Sequence, residues 1–273
     1  MKKLKHYQGT AMEALAELVA GDVSFTVLAK ILGYECDHIF TDGESAIVCH
    51  SNPPYPVWAW CKDADDIYSV QAIGSAIRKF LPLESYKVNI AGDVFEKLRK
   101  IDHYFENAQC KMELLSYRLD KFIDAGYAVD GSAELADIKD IDFLSKVWQD
   151  MAMEMEGFEF SIEECRERVE EMIEDKALYL WRNDEGKIVA TTSKGQIGEF
   201  GKVAGVYTLP EYRRRGYAIN LVSEVTRLIL AEGLIPTLYT DGGYTASNKC
   251  YKKIGYVQVG RLLTIKKQLT NRD

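Results

Sequence analysis

The sequence predicts an α+β fold of layered α/β type in two domains, residues 1–125 and 126–273, and three observations carry that prediction. The chain has 273 residues, and roughly 100–200 residues per domain is the usual allotment, so two units are expected. In both halves, short apolar runs bounded by turn residues alternate with segments of helical period, the pattern of sheets covered by helices. Between the halves, residues 124–132 contain Gly126, Asp130 and Gly131 without a hydrophobic period, which marks a short linker.

Taken in order, Thr10-Ala11-Met12-Glu13 has the capping-box pattern, and Met12, Leu15, Leu18 and Val19 follow at helical spacing, so a helix opens the chain. Turn signals at Asp42-Gly43 and Ser51-Asn52-Pro53-Pro54 bound strands around residues 46–48 and 57–60. Ile67, Val70, Ile73, Ile77 and Phe80 mark a helix that stops before Pro82. Residues 86–90 form a strand, Asp93-Val94-Phe95-Glu96 opens a capped helix reaching Ile101, and residues 112–119 form a strand of two-residue period.

Beyond the linker, Phe143, Leu144, Val147, Trp148, Met151 and Met155 form one helical stripe. Ser161-Ile162-Glu163-Glu164 is a second capping box, leading a helix with Ile162, Cys165, Val169, Met172 and Ile173 on its inner face. Residues 177–181 and 187–190 flank Asn183-Asp184-Glu185-Gly186 as a hairpin. A strand at residues 202–208 enters the loop Leu209-Pro210-Glu211-Tyr212-Arg213-Arg214-Arg215-Gly216. A helix follows, with Ala218, Leu221, Val222, Val225, Leu228 and Ile229 on one face and a stop at Gly233. A strand at 234–240 with Pro236 at its start, a short helix at 247–254 and a strand at 256–266 complete the order α-α-β-β-β-loop-α-β-α-β.

Apolar residues make up 47% and charged residues 28%, the balance of a soluble globular protein, and no apolar run approaches the roughly 20 residues of a membrane span. With no signal-peptide pattern, a cytoplasmic location is expected. Cys36, Cys49, Cys61, Cys110, Cys165 and Cys250 are scattered without CxxC spacing and read as reduced thiols. All four histidines (His6, His38, His50, His103) lie in the first half, so no zinc motif can be built near the loop and no metal is expected. A net charge of −8 argues against nucleic acid as the main partner, yet residues 202–267 hold eleven Lys/Arg against four acids, a local excess of +7. A discrete anionic ligand fits that distribution. A glycine-bearing cationic loop running into a helix N-terminus is suited to phosphate, because the first N–H groups of a helix lack partners and carry partial positive charge.

At these residues the chain resembles a known family. Arg213-Arg214-Arg215-Gly216-Tyr217-Ala218 matches the Gln/Arg-x-x-Gly-x-Gly/Ala loop of the GNAT superfamily of acyl-CoA-dependent N-acyltransferases. Ala246-Ser247-Asn248-Lys249-Cys250-Tyr251-Lys252-Lys253-Ile254-Gly255-Tyr256 resembles its second signature at the expected distance. The likeness covers about residues 133–267 and is nearest to a bacterial branch of acetyltransferases and to the glycine N-acyltransferase-like branch. It implies a mixed, mostly antiparallel central sheet flanked by helices. The first half lacks such a loop, yet its strand and helix order partly mirrors the second, so the N-terminal domain is expected to be a degenerate copy of the same fold.

The resemblance further implies acetyl-CoA as cosubstrate. The amides of residues 214–218, including Gly216, Tyr217 and Ala218, would bind its pyrophosphate, with the side chains of Arg213, Arg214 and Arg215 adding charge. Val206, Tyr207 and Thr208 would pair with the pantetheine and polarise the thioester carbonyl. Tyr251 aligns with the tyrosine that protonates the departing thiolate, the alternative being a packing role. The family's usual asparagine and proline are replaced by Tyr244 and Thr245; Asn248 could supply the missing contact. Glu199 and Asp241 are candidate bases for the attacking amine, with water as the alternative. Cys250 has no histidine partner in sequence, so a thiol relay is not expected.

Trp58, Trp60, Tyr55 and His50 are candidates for an acceptor-cleft wall, against the ordinary reading of aromatic strands as core. The expected activity is N-acetylation of a small-molecule amine by direct attack in a ternary complex. A catalytically silent CoA-binding or regulatory protein is the alternative, and a nucleic-acid binder is disfavoured by charge. The oligomeric state is left open, a homodimer among the options.

Overall fold

In the computed structural model, which describes residues 2–7, 12–157 and 159–267, the chain forms two units. Unit 1 comprises residues up to Tyr117, Thr240–Thr245 and residues from Gln258 onward; unit 2 comprises Arg118–Tyr239 and Ala246–Val257. The last strand, assigned whole to the second domain from sequence, is therefore divided, because its residues beyond Gln258 pair within unit 1.

Unit 1 runs β1 (Lys5–His6), α1 (Met12–Val19), α2 (Thr26–Ile31), β2 (His38–Thr41), β3 (Ala46–His50), β4 (Val57–Cys61), α3 (Ile67–Phe80), β5 (Val88–Ala91), α4 (Gly92–Ile101) and β6 (Gln109–Leu119). Strands β1 to β4 pair antiparallel in sequence order, and β4 pairs parallel with β5 across the α3 crossover. The antiparallel neighbour of β5 is β12 (Tyr256–Lys266), through Leu262–Ile265. Ile73 and Ile77 of α3 and Leu98 of α4 bury against Val48, Val57, Ile90 and Phe105, which gives both helices an apolar seat on the sheet.

Asp66 caps α3 by accepting from the Tyr68 and Ser69 amides, at 3.1 and 3.4 Å. The cap expected at Asp93 is not one: α4 begins at Gly92 with Ala91 as N-cap, and Asp93 lies in the first turn. The capping box at Thr10 lies partly outside the described residues. Trp58, Trp60 and His50 are all buried, Trp60 donating to Asp22, while Tyr55 is exposed. Trp58, Trp60 and His50 are core, which argues against them as a cleft wall; Tyr55, being exposed, is not ruled out in this way.

Unit 2 runs β7 (Ser132–Leu135), α5 (Ile141–Glu156), α6 (Ile162–Glu174), β8 (Leu178–Arg182), β9 (Ile188–Ile197), β10 (Phe200–Thr208), α7 (Tyr217–Ala231), β11 (Ile235–Asp241), α8 (Thr245–Ile254) and the first residues of β12. Strands β7 to β10 pair antiparallel in order, and β10 pairs parallel with β11 across α7. Each unit thus follows the same succession, β-α-α-β-β-β-α-β-α-β, with an antiparallel meander and then one parallel crossover.

Leu144 of α5 and Val169 of α6 bury against Leu178, Leu180 and Ile188; Phe143 and Met155, expected on the inner stripe, are exposed. The Ser161–Glu164 capping box is formed in both directions. On α7, Leu221, Val222, Val225 and Ile229 are buried and Leu228 is exposed. Gly201 admits this helix: a Cβ there would stand 2.2 Å from Ile229 Cγ2.

Candidate functional site: a parted strand and a cationic loop

Strand β10 leaves its neighbours in a way that exposes main chain. Its parallel ladder with β11 covers Phe200–Val203, and its antiparallel register with β9 breaks between Ala204 and Tyr207. Gly205, at φ 59°, lets the strand bulge there, and bulges re-aim the residues that follow. Val206, Tyr207 and Thr208 therefore continue the strand past the end of the β11 ladder.

Pro210 opens a 3-10 turn, and the chain then passes through Arg213 in extended conformation, Arg214 at φ 62° and Gly216 at φ 99° before entering α7. Gly216 is the N-cap and has no side chain to cap with, while Asn220 N–H is the first to bond back, to Gly216 O at 3.2 Å. The amides of residues 216–219 accordingly have no partner within the helix, and the helix dipole adds partial positive charge. Arg214 and Arg215 are exposed beside them. This set of donors fits a diphosphate.

The third arginine serves differently. Arg213 donates from Nε to Thr208 O at 2.9 Å and from a terminal nitrogen to Glu154 Oε2 at 2.7 Å, and its guanidinium stacks over the Tyr207 ring at 5.3 Å. Tyr207, itself buried, donates its hydroxyl to the same Glu154 oxygen at 3.2 Å. The arginine beside Glu154 holds that carboxyl below its usual range, and Arg213 is held above its own mainly by the same hydrogen bond. Arg213 thus ties the end of β10 to the loop and to α5. Glu154 escaped sequence reading because an acid in the last turn of a helix runs against the dipole and looks like ordinary surface.

Residues 120–131, which include most of the stretch read as a linker (124–132), lie along α7. Asp120 and Ile123 donate main-chain bonds to Gly255 O and Ile254 O, at 3.2 and 2.8 Å. Arg227 pairs with Asp124 at 2.9 Å. Asn220 and the Tyr127 main chain exchange two bonds of 2.8 Å, and Lys253 donates to the Tyr127 hydroxyl at 2.6 Å. Next to the loop, Tyr217 donates to Asp130, which also accepts from the Asp184 amide at 3.3 Å. The hydrogen bond from Tyr217 depresses the Asp130 carboxyl, and the same bond raises the phenol. A Cβ built on Gly216 would meet Tyr127 Cβ at 3.0 Å and Val129 Cγ1 at 3.2 Å. The side-chain direction at Gly216 therefore points at this segment and not into the phosphate cradle.

The other sequence candidates are distributed unevenly. Asn248 and Tyr251 are buried on α8, with the Tyr251 ring edge-on to Tyr256 at 6.4 Å. Burial raises the Tyr251 phenol well above its ordinary value, and burial pushes Cys250 up to about 12, a poor nucleophile. Asp241 ends β11 and accepts from the Gly243 amide at 2.7 Å, ordering the turn into α8. Glu199 is exposed in the turn before β10, at the opposite end of that strand from Thr208. At about 3.3 Å per residue the nine steps from Glu199 to Thr208 separate them by roughly 30 Å, so Glu199 is not near the loop.

Residues 178–262 match the family model described as FR47-like protein. Over nearly all of its length the chain resembles solved GNAT structures. A GNAT-family acetyltransferase from Colwellia psychrerythraea is 13% identical with a TM-score of 0.66, covering 98% of this chain and 100% of that one. A GCN5-related N-acetyltransferase from Sphaerobacter thermophilus is 17% identical with a TM-score of 0.68, covering 97% of each chain. Another from Kribbella flavida is 13% identical, TM-score 0.59, with 92% and 96% covered. The fold is that of the GNAT superfamily. No significant match is found among curated proteins. In this chain β10 is the strand that parts from its parallel neighbour, and the loop before α7 is the one whose sequence suits an anion. Among the described residues no helix is long and apolar enough to cross a membrane, and no cluster of three or more metal-ligating side chains occurs.

Proposed function

We propose that this protein is an N-acyltransferase that moves an acetyl group from acetyl-CoA to the amine of a small molecule. The observation that carries the reading is the continuity of the parted β10 with an αL glycine loop at the start of α7. One end offers main-chain groups to an amide-bearing arm, and the other offers unpaired N–H groups and two exposed arginines to a diphosphate. Spaced along one strand and loop, these suit a long ligand with a diphosphate near one end and a thioester at the other.

In the proposed reaction a neutral amine attacks the thioester carbonyl, forming a C–N bond as the C–S bond breaks. The ammonium proton leaves through water or through Asp241, and the thiolate takes a proton from the Tyr251 hydroxyl or from water. Main-chain N–H groups at residues 206–208 would hold the developing oxyanion. The distance of Glu199 from Thr208 along β10 speaks against it as the base.

The burial of Tyr251 favours a second reading, a CoA-binding protein without turnover, since a phenol of raised pKa is a weaker acid. Calorimetric CoA binding, together with thiol release from acetyl-CoA across an amine panel, separates the two. Binding with turnover for some amine supports the enzyme; binding without turnover for every amine supports the second reading. Absence of binding removes both.

A further inference from the structure

Two thiols in unit 1, far apart in kind, are brought together. Cys49 is fully buried in β3, between Ile39 of β2 and Trp58 of β4 in register, and so sits on a strand paired on both sides. Cys36 is half-buried on the connection between α2 and β2, a connection whose end is tied down by the Asp37 amide donating to Ser51 O at 2.8 Å. The Cys49 thiol points at Cys36 Sγ across 3.6 Å, and the Cys36 thiol is directed at Ile31 O and Tyr34 O at 3.5 and 3.6 Å. The residues that follow them face each other too, with Asp37 Oδ2 standing 3.7 Å from His50 Nδ1. From sequence these were two of six scattered thiols, thirteen residues apart with no motif.

We propose that Cys36 and Cys49 form a reversible dithiol site that small disulfides oxidise to an intramolecular disulfide. Burial assigns the roles. Only Cys36 is open to a reagent, so its sulfur attacks one sulfur of the small disulfide and releases the first thiol. Cys49 then attacks the Cys36 sulfur of that mixed disulfide and releases the second. The two protons given up by the cysteines leave on the two released thiols, and the protein loses two hydrogens as one small disulfide is reduced. The bond requires the sulfurs to close from 3.6 Å to about 2.05 Å. The Cys36 connection can supply that movement; the central strand cannot. A small dithiol reverses the reaction by the same route.

The experiment uses the full chain in glutathione buffers of increasing oxidised fraction, quenched in acid, denatured and labelled with maleimide for intact mass. The expected result is a fall from six labels to four, with the Cys36 and Cys49 peptides joined in a non-reducing digest and six labels regained in dithiothreitol. Cys36→Ser, on the connection and mild for folding, should hold five labels at every buffer ratio, whereas Cys250→Ser should fall from five to three. Six labels at every ratio in protein that is folded by circular dichroism would overturn the proposal. So would a joined pair other than Cys36 and Cys49, or a glutathione adduct on Cys36 that Cys49 never displaces.

Discussion

Replacing Gly216 by alanine tests the loop at its tightest point. The residue sits at φ 99°, and an L-residue held at left-handed φ costs about 1–2 kcal/mol. The new methyl would also stand 3.0 Å from Tyr127 Cβ and 3.2 Å from Tyr127 Cγ and Val129 Cγ1. Forcing one carbon into a filled space adds about 1 kcal/mol. Together they remove about 2–3 kcal/mol, and for a protein of this size each kcal/mol lowers Tm by about 2–4 °C. A thermal scan should therefore show Gly216→Ala melting roughly 5–10 °C below the parent, and calorimetry should show weaker CoA binding because the αL turn at the head of α7 is disturbed. In a Val129→Ala background the contact part shrinks and the backbone part stays, so the penalty falls but does not vanish. A Gly216→Ala protein that melts with the parent refutes the strained turn. An undiminished penalty in the Val129→Ala background refutes the Val129 part of the contact.

Three further outcomes follow from the site. Tyr251→Phe should lower kcat more than the KM for acetyl-CoA if the phenol donates to the leaving thiolate; a wild-type rate assigns Tyr251 to packing. Arg215→Ala should weaken CoA binding and flatten its salt dependence, whereas Arg213→Ala, whose guanidinium is already engaged by Glu154 and Thr208, should chiefly lower stability. Equal effects of the two on salt dependence would overturn that division of roles. Glu154 is held below its usual range in the folded protein, so its contribution is complete above the unfolded value of about 4.3 and is lost as pH falls through the folded value. Because the pair is partly exposed, Glu154→Gln should cost under about 1 kcal/mol at pH 7 in urea melts and nothing measurable near pH 3; a difference that persists in acid counts against the ion pair.

Where the sequence carried enough period or turn chemistry, it could be read. Helix α3 follows from Ile67 to Phe80, the capping box at Ser161 is formed, and the Asn183–Gly186 hairpin closes with Lys187 N–H on Asn183 Oδ1 at 2.8 Å. The glycine loop was legible because an αL turn before a helix needs Gly216. Short elements were not: α2 has six residues, and β1 and β7 are an exposed pair of residues and a four-residue strand, too brief to show a period. Nor could sequence show that Glu199 and Thr208 sit at opposite ends of one strand, since nine residues apart in a chain is close unless they are extended. The stretch read as a linker, residues 124–132, gave no sign of its hold on α7, because its partners, Asn220 and Arg227 among them, lie about a hundred positions away, and a segment held by distant contacts carries no local signature.

The pairing of β5 with Leu262–Ile265 has a consequence for how the protein is made. On a ribosome, every residue up to Tyr117 emerges before the strand that lies against β5 has been synthesised, so this edge must wait until residues 262–265 have been made. Until then it presents unpaired main-chain groups, the surface to which chaperones and stray strands attach. A gene fragment ending at residue 125 would leave that edge without β12 permanently, and a stop codon shortly before Leu262 would strip the partner from a strand about 170 residues earlier in the chain.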